Sequence, residues 1–250
     1  PCGVKMHSGV YAISPLAAGE LVKKLLLGQL IHLREREVRD LDEDAFRNGL
    51  VKAKYFGELS VPEDEQYVQS IKTAGQHSEP LALQDIAADI VENLDDDTLY
   101  IVGSGSTTQA IMHELGLADA ATLLGVDLVK AGELVAADVG EQDILAALGD
   151  SKEKVKAKII VTIIGGQGHI FGRGNQQISA AVINKIGKEN IIVVATEEKL
   201  TALNKRPLLV DTGDQQLDKA LSGYLRVVTG YQRSVLYSVN KPGDAIEGEI

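Results

Sequence analysis

The feature that most restricts what this chain can fold into is the run I-I-V-T-I-I-G-G-Q-G-H-I-F-G-R-G-N-Q-Q-I-S-A-A-V-I-N-K-I-G, from Ile159 to Gly187. Its first six residues are all β-branched, which predicts one buried strand over Ile159–Ile164. A loop with Gly165, Gly166, Gly168, Gly172 and Gly174 follows. Ser179 then reads as an N-cap, Ala180 to Ile186 as a helix, and Gly187 as the residue just past its end. Strand, glycine-rich loop and helix together form a layout that binds anions. Glycines let the backbone approach a ligand, so that amide N–H groups can point at phosphate oxygens. Gln167, His169, Arg173, Asn175, Gln176 and Gln177 add polar groups for phosphate, ribose or a base edge, and the Arg173 fork suits a phosphate. The plainer alternative is a surface loop whose glycines only serve turns. Its length argues against that, because loops beyond the usual ~2–6 residues tend to be functional. Ile170 and Phe171 further imply that the loop folds back on the body.

A second unit of the same kind precedes it. Thr98–Val102 reads as a strand, Gly103-Ser104-Gly105-Ser106-Thr107-Thr108 as the loop, and Gln109–Leu115 as the helix. The hydroxyls and the helix N-terminus make a phosphate cradle, with a ligand-free tight turn as the alternative. It is not a P-loop, because the lysine of that motif is missing, and it lacks the third glycine of a dinucleotide fingerprint. Thr122–Val129 is expected to be a further strand with Asp127 near its carboxyl end. Ligands of open α/β sheets bind at that end, so Asp127 is a candidate for ribose or metal-linked contacts, with a capping role equally open. Asp211-Thr212-Gly213-Asp214 reads as an acidic turn that caps a helix from Gln215.

The rest of the chain organises around these units. Alternating strand and helix signals predict an α/β fold, a mainly parallel sheet with flanking helices over the C-terminal two-thirds. Three regions are expected: 1–78, with a helix capped by Ser14-Pro15 and a β-hairpin; an α/β nucleotide- or phosphate-binding domain over 79–240; and a tail, 241–250. The hairpin uses the alternating runs 37–42 and 50–61 with a turn between them. Residues 63–80 read as a polar linker. Lys5, His7 and Ser8, in a glycine turn at the start, could serve a ligand or simply be solvated. A net charge of −11 excludes the basic face that nucleic-acid or membrane-surface binding requires. No apolar run reaches the ~18 residues of a membrane span. The single Cys2 can form no internal disulfide, and a reducing cytoplasm is the expected setting. No residue is predicted to hold a metal. Opening on Pro1-Cys2-Gly3-Val4 reads as a segment of a longer protein.

Several of these stretches carry a resemblance. Gly3-Val4-Lys5-Met6-His7-Ser8, S-P-x-A-A-G-E-L, D-x-D-E-D-A-F-R-x-G, D-T-L-Y-I-V-G-S-G-S-T-T, I-G-G-Q-G-H-I-F-G-R-G-N-Q-Q-I-S, V-D-T-G-D and Y-x-R-V-V-T-G-Y are similar to the predicted ATP- or polyphosphate-dependent NAD kinases, including relatives associated with acetoin catabolism. The match runs from Gly3 to about Val239. The family's catalytic G-G-D-G-T motif does not occur here; in G-G-Q-G, Gln167 stands where the Asp is needed. The resemblance therefore implies the C-terminal part of such an enzyme. It also implies ATP or polyphosphate and NAD as substrates, Mg²⁺ as companion, a small-molecule nucleotide as partner and a homo-oligomeric cytoplasmic protein. Phosphate contacts would come from Lys5, His169, Arg173 and both glycine loops. Asp127 would be a polar anchor, and the base would lie elsewhere. A second resemblance is to the phosphosugar isomerase and aminosugar-phosphate deaminase fold. It implies a sugar phosphate on Ser104–Thr108, with His169 or Asp127 moving protons. A third, non-catalytic reading is a nucleotide-sensing or oligomerising module.

Overall fold

The computed structural model describes residues 10–12, 15–29, 33–41, 53–62, 79–121, 125–149 and 155–240. Lys5, His7 and Ser8, the turn expected at 42–49, the linker and the tail lie outside them. The described residues fall into two compact units.

The smaller unit holds helix α1 (Pro15–Leu26) and a hairpin of β1 (Leu33–Leu41) and β2 (Ala53–Pro62). Lys23 and Lys24 sit in the last turn of α1, where cations offset the helix dipole. The strands pair antiparallel from Leu33↔Pro62 to Leu41↔Ala53, with a bulge between Val38 and Arg39. The Arg34–Glu37 run forms the first half of β1, so this strand starts earlier than the alternating pattern indicates.

The larger unit is an α/β body. In chain order it runs α2 (Glu79–Glu92), β3 (Leu99–Val102), α3 (Ser106–Glu114), β4 (Asp127–Lys130), β5 (Glu133–Ala136), α4 (Glu141–Ala147), β6 (Ala157–Thr162) and β7 (His169–Phe171). It continues α5 (Ala180–Ile186), a 3₁₀ turn (Lys188–Asn190), β8 (Ile191–Val194), α6 (Glu197–Thr201), β9 (Leu208–Val210), α7 (Gln215–Leu221), β10 (Gly223–Gly230) and β11 (Arg233–Asn240). The sheet order is β5-β4-β3-β6-β8-β10-β11-β9-β7. The centre, β3-β6-β8-β10, is parallel; β4 and β5 add an antiparallel edge, and β11 reverses direction before β9 and β7. This is the mainly parallel α/β sheet that the alternation predicted. No helix among the described residues is long and apolar enough to cross a membrane.

Why the central strands read as continuous apolar runs is visible in their packing. Leu99 and Ile101, Ile159 and Val161, Leu128 and Val193 point into one core layer with α4, α5 and α7 residues such as Ile144, Val182 and Leu221. Tyr100 and Val102, Ile160, Val129 and Val194 point into the opposite layer against Ile86, Ile90, Ile111 and Met112 of α2 and α3. Successive side chains alternate between faces, and both faces are buried, so the runs Leu99–Val102, Ile159–Val161 and Ile191–Val194 carry no charged residue.

Besides α3, which begins at Ser106 and so takes in Ser106–Thr108 of the expected loop, two elements differ from the sequence reading. The strand expected over Thr122–Val129 is the shorter β4, and Asp127 is its first residue, not one near its end. Val126 precedes β4, and residues 122–124 are outside the described set. The second difference lies inside the glycine-rich stretch, where His169–Phe171 forms β7. Its reason is burial: Ile170 and Phe171 are core residues, and the strand pairs with β9. Ile164 N–H also bonds the His169 carbonyl at 3.0 Å, tying the last strand of the sheet back to the chain that leaves β6. The helix ends follow the sequence. Ser179 caps α5 by accepting from Val182 N–H, Gly187 closes it at φ 90°, and Asp214 caps α7 through Gln216 and Leu217 N–H.

Candidate functional site

Three consecutive parallel strands, β3, β6 and β8, release the chain at one edge of the sheet. Gly103–Thr108 leaves β3, Thr162–Gly168 leaves β6, and Thr196–Lys199 leaves β8 to begin α6. Open α/β sheets bind ligands outside the carboxyl ends of their strands.

The first loop is shaped by a glycine that nothing else can replace. Gly105 has φ +133°, and a Cβ there would lie 2.5 Å from Cγ2 of Thr162. The loop therefore presses flat on the end of β6. Gly105 is also the N-cap of α3 and offers no side-chain cap. Thr108 Oγ1 instead donates to the Gly105 carbonyl at 2.9 Å. The first amides of α3 are thus left without a capping side chain, at the positive end of the helix dipole.

Lys199 reaches this helix start from α6. Its Nζ donates to Thr107 Oγ1 at 2.6 Å and lies 3.3 Å from Ser106 Oγ, with the residue only 8% exposed. Thr196, at the head of α6, fixes the helix by accepting from Lys199 N–H at 3.3 Å. The sequence reading missed Lys199. In T-E-E-K-L it looks like an ordinary helix residue, and its only signal is its place directly after a third parallel strand.

The two glycine loops meet. Ser104 Oγ donates to the Gly174 carbonyl at 2.6 Å, across 70 residues of sequence. Within the second loop, Asn175 Nδ2 donates to the Ile170 carbonyl at 2.8 Å, so its amide holds the loop on β7. Asn175 Oδ1 is buried without a partner. Arg173 is buried and faces Asp211, with Nη2 3.6 Å from Oδ2. Burial raises the Asp211 carboxyl above its ordinary range and outweighs the opposing pull of Arg173, with Asp218 adding to the rise. Gln167 is buried, whereas Gln176 is exposed. Arg206, a second residue that the sequence reading passed over, donates from Nη2 to the Gly166 carbonyl at 2.9 Å and from Nε to Leu203 at 3.0 Å. It pins the Gly165–Gly168 turn.

His169 is 1% exposed, and both of its ring nitrogens are buried without a hydrogen-bond partner. Burial, reinforced by the charge of Arg173, pushes its pKa down to about 3. The imidazole is therefore neutral at ordinary pH, able to donate from one nitrogen and accept at the other. Asp127 stands opposite Val102 at the end of β3, because β4 runs antiparallel and begins where β3 stops. Its Oδ1 accepts Asp138 N–H at 2.9 Å, bracing the turn that precedes α4. Among the described residues, no group of three or more His, Cys, Asp or Glu side chains is placed to hold a metal ion.

The arrangement can hold anionic oxygen at the α3 start, through amides, hydroxyls and an ammonium. The second loop lies beside it with a neutral imidazole and a buried guanidinium. A model of the ATP-NAD kinase C-terminal domain family matches residues 94–239, which takes in both loops, Asp127 and Lys199. No curated protein and no solved structure gives a match. Covering more than half of the chain, the family match establishes that this protein belongs to the ATP-NAD kinase C-terminal domain family.

Proposed function

We propose that the chain is the nucleotide-handling part of an NAD kinase-like phosphotransferase, cytoplasmic and homo-oligomeric. It would use ATP or polyphosphate to phosphorylate the 2′-OH of NAD and so give NADP. The observation that carries this reading is the Ser104–Gly174 contact, which joins two glycine-rich loops at one sheet edge inside the matched region. In this transfer the 2′-oxygen bonds to the terminal phosphorus as the bridging P–O bond breaks, and the hydroxyl proton passes to a base. Protein catalysis of such a step is mostly positioning and charge stabilisation. The two loops supply amide, hydroxyl and cationic donors for phosphate charge. Neutral His169 can orient a hydroxyl or a phosphate oxygen. Asp127 spends one carboxylate oxygen on the Asp138 amide, which suits an anchor better than a base. Mg²⁺ would come with the phosphoryl donor and offset its charge.

The meeting of the loops also favours a second reading, the phosphosugar one, in which Ser104–Thr108 would take the phosphate and His169 or Asp127 would move protons. Differential scanning fluorimetry separates the two. Ligand that binds only the folded state raises Tm by mass action. A rise with NAD or ATP, with and without Mg²⁺, supports the kinase reading, to be followed by an NADP-formation assay. A rise with phosphosugars alone would replace it.

A further inference from the structure

We infer that Arg206 is a positioning residue for the ligand site: it holds the Gly165–Gly168 turn in the shape that receives a phosphate-bearing ligand. This deepens the phosphotransferase reading, and rests on it only for the identity of that ligand.

A glycine-rich turn has few side chains of its own to fix it, so its peptide planes are set by what grips them. Gly166 and Gly168 stand at φ +75° and +82°. The Ile164 carbonyl accepts the amides of Gln167 at 3.1 Å and Gly168 at 2.9 Å, and the Gly168 carbonyl accepts Leu209 N–H at 2.9 Å. In the middle of the turn, the Gly166 carbonyl accepts Arg206 Nη2 at 2.9 Å. The same guanidinium donates from Nε to the Leu203 carbonyl at 3.0 Å, so one planar fork ties the turn to the chain just past α6.

The backbone that presents Arg206 is strained. Asn204 and Lys205 both lie in the left-handed region, at φ +50° and +65°, and neither is a glycine. Such residues persist where surrounding contacts over-determine them, and they cluster at functional sites. Here they lie in a segment that packs on the turn at both ends: a Cβ on Gly168 would meet Leu203 Cδ2 at 3.3 Å and the Pro207 carbonyl at 3.4 Å. The start of α6 reaches the first loop, through Lys199 Nζ on Thr107 Oγ1 at 2.6 Å. One short stretch, 196–207, therefore contacts both loops at the carboxyl edge of the sheet. A turn held in advance loses less affinity to ordering when a ligand arrives.

The test pairs amide hydrogen exchange with isothermal titration against NAD, ATP and glucose 6-phosphate, all on the whole chain. In Arg206→Met the Gln167 and Gly168 amides should exchange roughly tenfold faster, as loss of a charged donor predicts, and affinity for whichever ligand the wild type binds should fall roughly tenfold. Arg206→Lys, which keeps the charge without the planar fork, should fall between. Lys188→Met controls for lost stability. Lys188 also bridges two carbonyls, Ala220 at 2.9 Å and Ser222 at 3.1 Å, but it precedes β8, at the amino end of that strand. Its loss should lower Tm and leave the turn amides and the affinity as in wild type. A folded Arg206→Met with wild-type exchange at Gln167 and Gly168 would overturn the proposal. So would faster exchange with unchanged affinity, or an affinity loss that Lys188→Met reproduces. Should Arg206→Met not fold, Arg206→Lys carries the same readings. Binding of glucose 6-phosphate alone, weakened by Arg206→Met, would keep the role of Arg206 and sink the kinase reading. A wild-type chain that binds none of the three would also sink that reading, and exchange would then decide whether Arg206 holds the turn.

Discussion

Replacing Gly172 with alanine should be among the most damaging single-methyl changes in the molecule. Gly172 follows β7 at φ +83°, and a Cβ there would sit 1.7 Å from the Asp211 carbonyl oxygen. That is more than 1 Å inside the 3.0 Å that real Cβ atoms keep, and the obstacle is backbone, not a side chain that can swing away. The β7–β9 junction must therefore open. Asp211 N–H would lose its bond to the Phe171 carbonyl, now 3.3 Å, and Arg173 would be parted from Asp211. Gly213 is an internal control, because it has φ +82° with nothing within 4 Å of a Cβ. Gly213→Ala should cost only the left-handed backbone penalty, roughly 1 kcal/mol. Gly172→Ala adds the overlap and should cost about 4 kcal/mol or more, the range of core disruptions. In a unit of this size ~1 kcal/mol moves Tm by about 2–4 °C, so the two variants should fall by about 2–4 °C and by more than about 8 °C. Urea and thermal unfolding followed by circular dichroism measure both. If Gly172→Ala came within about 1 kcal/mol of Gly213→Ala, the packing of β7 against Asp211 would be wrong.

Buried His169 makes stability depend on pH. Its folded pKa, about 3, lies below the ordinary 6.5, so its full contribution is present above pH 6.5. Below that the unfolded chain binds the proton first, and stability falls by about 1.4 kcal/mol per unit towards pH 3, amounting to about 2 kcal/mol at pH 5. Urea titrations at pH 7, 6 and 5 should show this slope in wild type and a shallower one in His169→Leu; equal slopes would refute a buried neutral imidazole. The helix caps should rank by the bonds they make. Asp214 accepts two amides, at 2.9 and 3.2 Å, and Ser179 one at 3.4 Å. Asp214→Ala should thus cost more than Ser179→Ala, with both near the ~1 kcal/mol typical of caps, and denaturant midpoints would reverse if the capping were misjudged.

Local chemistry made much of this molecule legible in its sequence. The run Ile159–Ile164 reads as a buried strand, and its first four residues lie in β6. Ser179 and Gly187 marked the ends of α5, because caps depend on a few neighbouring residues. The glycine loops announced their backbone freedom, and the family stretches lay in linear order. The tertiary structure decided what depends on distant partners. The direction of β4 turned Asp127 from the end of a strand to its beginning while leaving it at the same sheet edge. Ile170 and Phe171 became a strand because β9, some forty residues later, supplied the backbone partners. Ser104 met Gly174, and Arg206 met Gly166, across separations that no local pattern encodes. Lys199 shows the division most clearly. As a letter in a short helix it is unremarkable, and only the folding of β8 beside β6 and β3 carries its charge to the start of α3.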